Sequence, residues 1–154
     1  MPVEIEYKFL VEGDEWKSFA HNKTRITQGY LNSAPERTTR VRVKGDEAYL
    51  TIKGKNRSVT RLEFEYSIPV DHAEQLLLLC EQPLIDKVRY EIKVGNHLWE
   101  VDEFFGDNVG LIVAEIELSS EEDEFEKPNW LGVGVSGDTR YFNSALIKHP
   151  FKNW

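Results

Sequence analysis

Along most of this chain polar and apolar residues alternate one by one, and stretches with a helical period are few. Val3–Val11 and Arg25–Leu31 read as strands. Thr38–Lys44 and Ala48–Lys53 read as a hairpin across Gly45-Asp46-Glu47, and Asp86–Val94 with His97–Phe104 as another across Gly95-Asn96. Thr60–Ile68 and Ile112–Leu118 bring the set to about eight strands, which suits an antiparallel barrel better than an open sheet. Helices fill the gaps. Asp71 is placed to cap a helix running to about Glu81, with Glu74 completing a capping box and Leu76, Leu77 and Leu79 on its buried side. A short acidic helix is expected from Ser119 or Ser120 to just before Pro128. A terminal helix is expected from Ser136 or Asp138 to about Lys148, and a short one over Asp14–Ala20. The expected fold is mainly β: a closed eight-stranded antiparallel barrel with a few flanking helices, as one domain over residues 1–154.

The polar half of the alternation is unusual in kind. Glu4, Glu6 and Lys8 share one face of the first strand, opposite Ile5, Tyr7 and Phe9. Arg40, Arg42 and Lys44 oppose Val41 and Val43; Arg61, Glu63 and Glu65 oppose Leu62, Phe64 and Tyr66; Lys87, Arg89 and Glu91 oppose Val88, Tyr90 and Ile92. Thr51 and Lys53, Glu100 and Asp102, and Glu115 and Glu117 continue the series. For a single strand, a solvated outer face explains such a pattern. Across all of them, the near absence of Ser, Thr and Gln and the shortage of helices to cover an apolar sheet face favour a barrel with its charged face inward. Buried charges of that kind must be paired with each other or with a ligand.

Composition narrows the ligand. With 40% hydrophobic and 30% charged residues the chain is expected to fold as a soluble protein. Its longest apolar run, Leu76–Cys80, is far short of a membrane span, and the N-terminus lacks the features of a secretion signal. Cys80 is the only cysteine, which excludes an intrachain disulfide and points to a reducing cytoplasm. A net charge of −8 argues against a nucleic-acid partner. Converging Arg and Lys side chains suit phosphate, whereas the carboxylate pairs Glu4/Glu6 and Glu115/Glu117 are hard oxygen ligands suited to Mg²⁺ or Mn²⁺. Together they fit a metal–polyphosphate complex. There is no glycine-rich phosphate loop, and His21, His72, His97 and His149 fall outside the constellation.

Glu4-Ile5-Glu6-Tyr7-Lys8 resembles the ExExK signature that opens the CYTH domain, or triphosphate tunnel metalloenzyme, family. The resemblance continues in order through Gln28-Gly29-Tyr30-Leu31, Arg40-Val41-Arg42, Thr51-Ile52-Lys53, Arg61/Glu63/Glu65, Lys87/Arg89-Tyr90, Glu100-Val101-Asp102, Glu115/Glu117 and Arg140-Tyr141/Asn143, spanning nearly the whole chain. The length is similar to that of the short bacterial members. This resemblance implies an eight-stranded tunnel that binds triphosphate-containing small molecules with a divalent metal, and hydrolysis of inorganic triphosphate or a related compound. By position it implies phosphate-binding roles for Lys8, Arg40, Arg42, Lys53, Lys87 and Arg89, with Tyr30 and Arg140 as weaker matches. Metal ligation falls to Glu4, Glu6, Glu115 and Glu117, with Asp102 a further candidate, and the chemistry centres on Glu4, Glu117, Lys8 and Arg42. Arg61 is either a phosphate ligand or a partner to Glu63 and Glu65; those two bind metal or, the favoured reading, orient the basic side chains. The same site in relatives implies alternatives: a class IV adenylate cyclase, a thiamine triphosphatase, or a non-catalytic polyphosphate- or nucleotide-binding module. The sequence does not separate a monomer from a homodimer.

Overall fold

Alternation becomes register in the computed structural model, which describes residues 3–154. Among the described residues nine strands form: β1 (Val3–Val11), β2 (Asn22–Asn32), β3 (Arg37–Lys44), β4 (Glu47–Gly54), β5 (Thr60–Ile68), β6 (Glu81–Val94), β7 (His97–Phe104), β8 (Ile112–Glu117) and β9 (Leu131–Gly134). Their order is β5-β4-β3-β2-β6-β7-β8-β1-β9, and an additional β5–β1 pairing closes β1 to β8 into an antiparallel barrel. Both expected hairpins form with two-residue turns, since Lys44 pairs with Glu47 and Val94 with His97. Gly45 and Gly95 take φ of +60° and +62° there, the positive values that such tight turns demand.

The β1 strand is where closure is negotiated. One edge runs along β8 from Glu6 to Leu10. The other edge is shared: Val3, Glu4 and Ile5 pair with β5, whereas Phe9 and Val11 pair with β9. Between them, the Lys8 amide donates to Ser136 Oγ at 2.8 Å, so the backbone has a partner where the neighbouring strand changes.

The outer wall is covered in two places. Trp16 from a short 3₁₀ turn, Glu15–Phe19, and Trp130 from the segment 119–130 join Phe9 and Trp99 of the wall in one buried cluster. Helix α1 (Val70–Leu78) lays Ala73 and Leu77 on Val41 and Ala48 of the β3–β4 hairpin.

Several expected helices are corrected. Helix α1 starts after Pro69 with no side-chain cap, so Asp71 sits in its first turn rather than at its cap, and the chain enters β6 at Glu81. Leu79 is exposed instead of buried, because the helix ends before it. No helix forms over 119–128; Phe125 lies across the barrel wall, 5.8 Å from the ring of Tyr7 and 5.7 Å from that of Trp99. The terminal helix is broken into a 3₁₀ turn at Thr139–Tyr141, a short α2 (Asn143–Leu146) and a 3₁₀ turn at Phe151–Asn153, with Phe142 extended between the first two. Among the described residues, no helix is long and apolar enough to cross a membrane.

Candidate functional site

The inward rows change character along their length. Glu4, Glu6 and Lys8 of β1 lead to Leu10; Glu100 and Asp102 of β7 lead to Phe104; Lys87 and Arg89 of β6 share their row with Ile85, and Glu115 of β8 with Val113. At the apolar end Leu10, Tyr30, Ile85, Phe104 and Val113 pack against Tyr141, Leu146 and Ile147 of the C-terminal segment, which fills that end of the barrel. The charged end encloses a cavity of about 240 Å³. Its carboxylates come from β1, β5, β7 and β8, its cations from β1, β3, β4, β5 and β6, and Phe142, Asn143 and Ser144 reach it from the C-terminal segment.

One group of carboxylates is built like an ion site. Oxygens of Glu4, Glu63 and Glu117 lie within 4.8 Å of one another. Glu4 is buried, which by itself would raise its pKa, but Lys53 at 3.0 Å and Arg61 at 3.3 Å hold it at about 2. Among the described residues Glu117 has no such partner. Partial burial and the charges of Glu4, Glu63 and Glu100 push it up to about 7. Glu63 is raised by burial and by Glu4. Elsewhere in the cavity, burial and Glu115 raise Glu6 well above the usual carboxylate range, while Lys8 and Glu6 outweigh burial and keep Glu115 well below it.

The cations divide into committed and uncommitted. Arg89 donates from Nε and Nη2 to both oxygens of Asp102, at 2.8 and 2.9 Å, and also reaches Glu100 at 3.4 Å. Lys87 lies 2.7 Å from Asp102, yet burial still draws it down to about 7. Lys53 bonds Glu4 and stands 3.4 Å from Glu63. By contrast, Arg42 and Lys8 have no carboxylate within ion-pair distance among the described residues. Burial, with Arg40 and Arg89 nearby, lowers Arg42 to about 9. Arg40 bonds Thr51 Oγ1 at 3.2 Å, while its buried Nε has no hydrogen-bond partner. Lys8 Nζ stands 4.7 Å over the Phe142 ring. Unpaired buried donors of this kind are costly in an empty cavity and favourable around an anion.

The cavity brings together Glu4, Glu6, Lys8, Tyr30, Arg40, Arg42, Lys53, Arg61, Glu63, Glu65, Lys87, Arg89, Glu115 and Glu117. Two candidates lie elsewhere. Arg140 is on the outside, bonded to Asp138 at 2.8 Å and placed over Trp154, because the chain turns outward before Phe142 turns in. Asp102 is fully buried behind the cavity wall, with both oxygens taken by Arg89 and Lys87. Arg61 pairs with Glu4, which faces it across the β1–β5 register, rather than with Glu63 or Glu65 of its own strand. Glu65 accepts from Thr51 at 2.9 Å and stands 3.5 Å from Arg40. Glu100 and Lys44, which lie on the charged rows without an assigned role, also line the cavity, as does Tyr49; Glu100 shares the inward parity of Asp102. Gln28, Phe142 and Asn143 were also not assigned. Gln28 shares the parity of Tyr30, whereas nothing periodic marks Phe142 or Asn143.

Comparison with known proteins supplies a family. The CYTH domain pattern matches residues 2–142. An inorganic triphosphatase of Acetivibrio thermocellus is 49% identical over 155 aligned positions, covering 100% of this chain and 99% of that one. An inorganic triphosphatase of Nitrosomonas europaea is 34% identical, covering 93% of this chain and 95% of that one. A crystal structure of an inorganic triphosphatase superposes with a TM-score of 0.64 at 34% identity, covering 96% of this chain and 95% of its own.

Proposed function

Since the chain belongs to the CYTH domain family, we propose that it hydrolyses inorganic triphosphate, or a closely related small triphosphate, within its barrel with the help of Mg²⁺ or Mn²⁺. The observation that carries this reading is the juxtaposition, in one cavity, of buried cations without carboxylate partners and a triad of converging carboxylates. An anion alone explains the first group and leaves the second repelling it; a metal-loaded polyphosphate satisfies both.

In this reading Lys8, Arg40, Arg42, Lys53, Lys87 and Arg89 hold the phosphate oxygens, with Arg42 offering the free end of its planar fork. Glu4, Glu63 and Glu117 would hold the divalent cation, and Glu6 and Glu115 would supply further oxygen ligands; the donor set is all carboxylate, as a hard ion requires. Bound there, the ion would neutralise phosphate charge. Asp102 moves from metal ligand to anchor, fixing Arg89 and Lys87. Glu65 steadies Arg40, and Arg61 holds Glu4. Tyr30 closes the floor between charged and apolar ends, and Arg140 has no part in the cavity. The bond between the terminal phosphorus and its bridging oxygen breaks, water adds to that phosphorus, and pyrophosphate and orthophosphate leave. The cations spread the charge that shifts onto the bridging oxygen, and the Glu117 oxygen not engaged with the ion would orient the attacking water and accept its proton. We place the enzyme in the cytoplasm, where a single unpaired cysteine is stable in its reduced form.

The test is phosphate release from inorganic triphosphate and from ATP, with Mg²⁺, with Mn²⁺ and with EDTA, in wild type, Glu117→Gln and Arg42→Ala. Metal-dependent release that prefers inorganic triphosphate and drops at least about 100-fold in both variants supports the hydrolase. Cyclic AMP and pyrophosphate from ATP would replace it with a cyclase, preference for thiamine triphosphate with a thiamine triphosphatase, and metal-dependent binding without turnover with a binding module.

A further inference from the structure

The amide side chains of Gln28 and Asn143 form a bridge between two of the cavity's cations. Arg42 Nε donates to Gln28 Oε1 at 2.7 Å, Gln28 Nε2 donates to Asn143 Oδ1 at 2.8 Å, and Lys87 Nζ donates to the same Oδ1 at 2.8 Å. The polarity of this chain is forced. Arginine and lysine can only donate, so each amide must turn its oxygen toward a cation, and one amide NH₂ is left to join the two oxygens in series. Gln28 is fully buried, and Arg42, Lys87 and Asn143 all line the phosphate cavity. We propose that Gln28 and Asn143 are positioning residues which set Arg42 for phosphate without neutralising it and tie it to Lys87, whose own counter-ion is Asp102, so that the C-terminal segment is an integral part of the site. The inference rests on the phosphate-holding roles given above to Arg42 and Lys87.

The choice of amides is the physical point. Arg89 is oriented by carboxylates, which cancel much of its charge as they hold it. A carboxylate at Gln28 would hold Arg42 by a stronger, charge-assisted hydrogen bond, but would compete with phosphate for that cation. A neutral acceptor orients the donor and leaves the charge for the ligand. The bridge also ties the two cations to one segment: Asn143 opens α2, and the residue before it, Phe142, stands over Lys8 at 4.7 Å and Arg61 at 5.7 Å. Asn143 therefore acts on Lys87 directly and on Arg42 through Gln28, while its neighbour flanks two further cations.

The experiment measures kcat and KM for inorganic triphosphate, triphosphate affinity by calorimetry, and thermal unfolding, in wild type, Asn143→Ala, Asn143→Asp and Gln28→Glu. Asn143→Ala removes the shared acceptor and should lower kcat/KM about 10- to 100-fold. Asn143→Asp keeps the shared oxygen and adds charge, so it should weaken triphosphate binding and raise KM about 10-fold or more while leaving the unfolding temperature unchanged or higher; Gln28→Glu puts charge directly on Arg42 but loses the NH₂ that donates to Asn143, so it should weaken binding likewise with no gain in unfolding temperature. A merely structural bridge would do the reverse: Asn143→Ala would unfold earlier with normal kcat/KM, and the two acidic variants would bind triphosphate like wild type. That result overturns the inference. Should Asn143→Ala not fold, the near-isosteric Asn143→Asp decides the question. A wild type that binds triphosphate without releasing phosphate would remove the hydrolase reading, and the affinity ratios would then decide the positioning role alone.

Discussion

Glu117 and Asp102 are carboxylates on the inward rows of adjacent strands, and their surroundings give them opposite tasks. Asp102 is enclosed by Arg89 and Lys87, which overcome the cost of burial and hold it at about 2; it is a structural anion. Its replacement by Ala would leave two buried cations without their counter-ion and should cost about 3–5 kcal/mol, read from a denaturant titration of folded protein. Glu117 faces other carboxylates and is raised to about 7 from the 4.5 of an unperturbed side chain. The folded state therefore holds this proton more tightly than the unfolded one. The resulting stability is full below pH 4.5, declines as pH rises, and is gone above 7. Glu117→Gln should consequently stabilise the metal-free protein by about 1 kcal/mol at pH 8 and hardly at all at pH 4, the figure being small because the side chain is open to solvent on one side. Urea midpoints at the two pH values check the sign, and the same variant should lose metal-dependent phosphate release.

Elements are arranged so that close approaches occur where side chains are missing. Gly29, in the middle of β2, lies under the junction between α1 and β6; a Cβ there would come within 2.6 Å of Leu84 Cδ2 and 2.8 Å of Cys80 Cβ. Gly29→Ala should thus destabilise the fold by about 1–3 kcal/mol through displacement of these neighbours, measurable as a lower urea midpoint at unchanged slope. A different economy governs β1. Its charged row needs the barrel closed by β5 at one end, while the other end is left to β9, and the Ser136 hydroxyl bridges the change. Because β9 has only four residues and follows an irregular acidic segment, it depends on β1 for its existence more than on its own pattern.

On the scale of the molecule, a net charge of −8 conceals a cavity lined by buried basic side chains, two of which, Lys8 and Arg42, lack a carboxylate partner among the described residues. Ligand binding should relieve both the orphaned cations and the crowded carboxylates, which makes stability sensitive to occupancy. Triphosphate together with Mg²⁺, at about 100 times the dissociation constant, should stabilise the fold by about 2.7 kcal/mol, raising the unfolding temperature by several degrees. Either component alone should do less, and EDTA should reverse the metal-dependent part. Rising salt should increase KM, since the approach of a charged ligand to the cavity mouth is screened.

The barrel was legible in the sequence because a strand repeats every two residues: once Glu4, Glu6 and Lys8 are seen to share a face, so are Arg40 and Arg42, or Glu115 and Glu117, whatever the surroundings. Hairpin turns were legible for the same local reason. What the tertiary structure alone decided is which charges meet. Glu4 finds Lys53 and Arg61 only because β1 closes on β5, and the closure depends on no local signal. Asp102 and Glu100 share a row, yet depth within the wall makes one an anchor and leaves the other lining the cavity. The segment 119–128 and the C-terminus read as helices from local composition, but the first is held flat by Phe125 and the second is broken so that Phe142 and Asn143 can enter the barrel. A periodic pattern specifies a face because it is fixed by bond geometry; the partners of a buried charge are fixed by packing between distant parts of the chain, which no local period encodes.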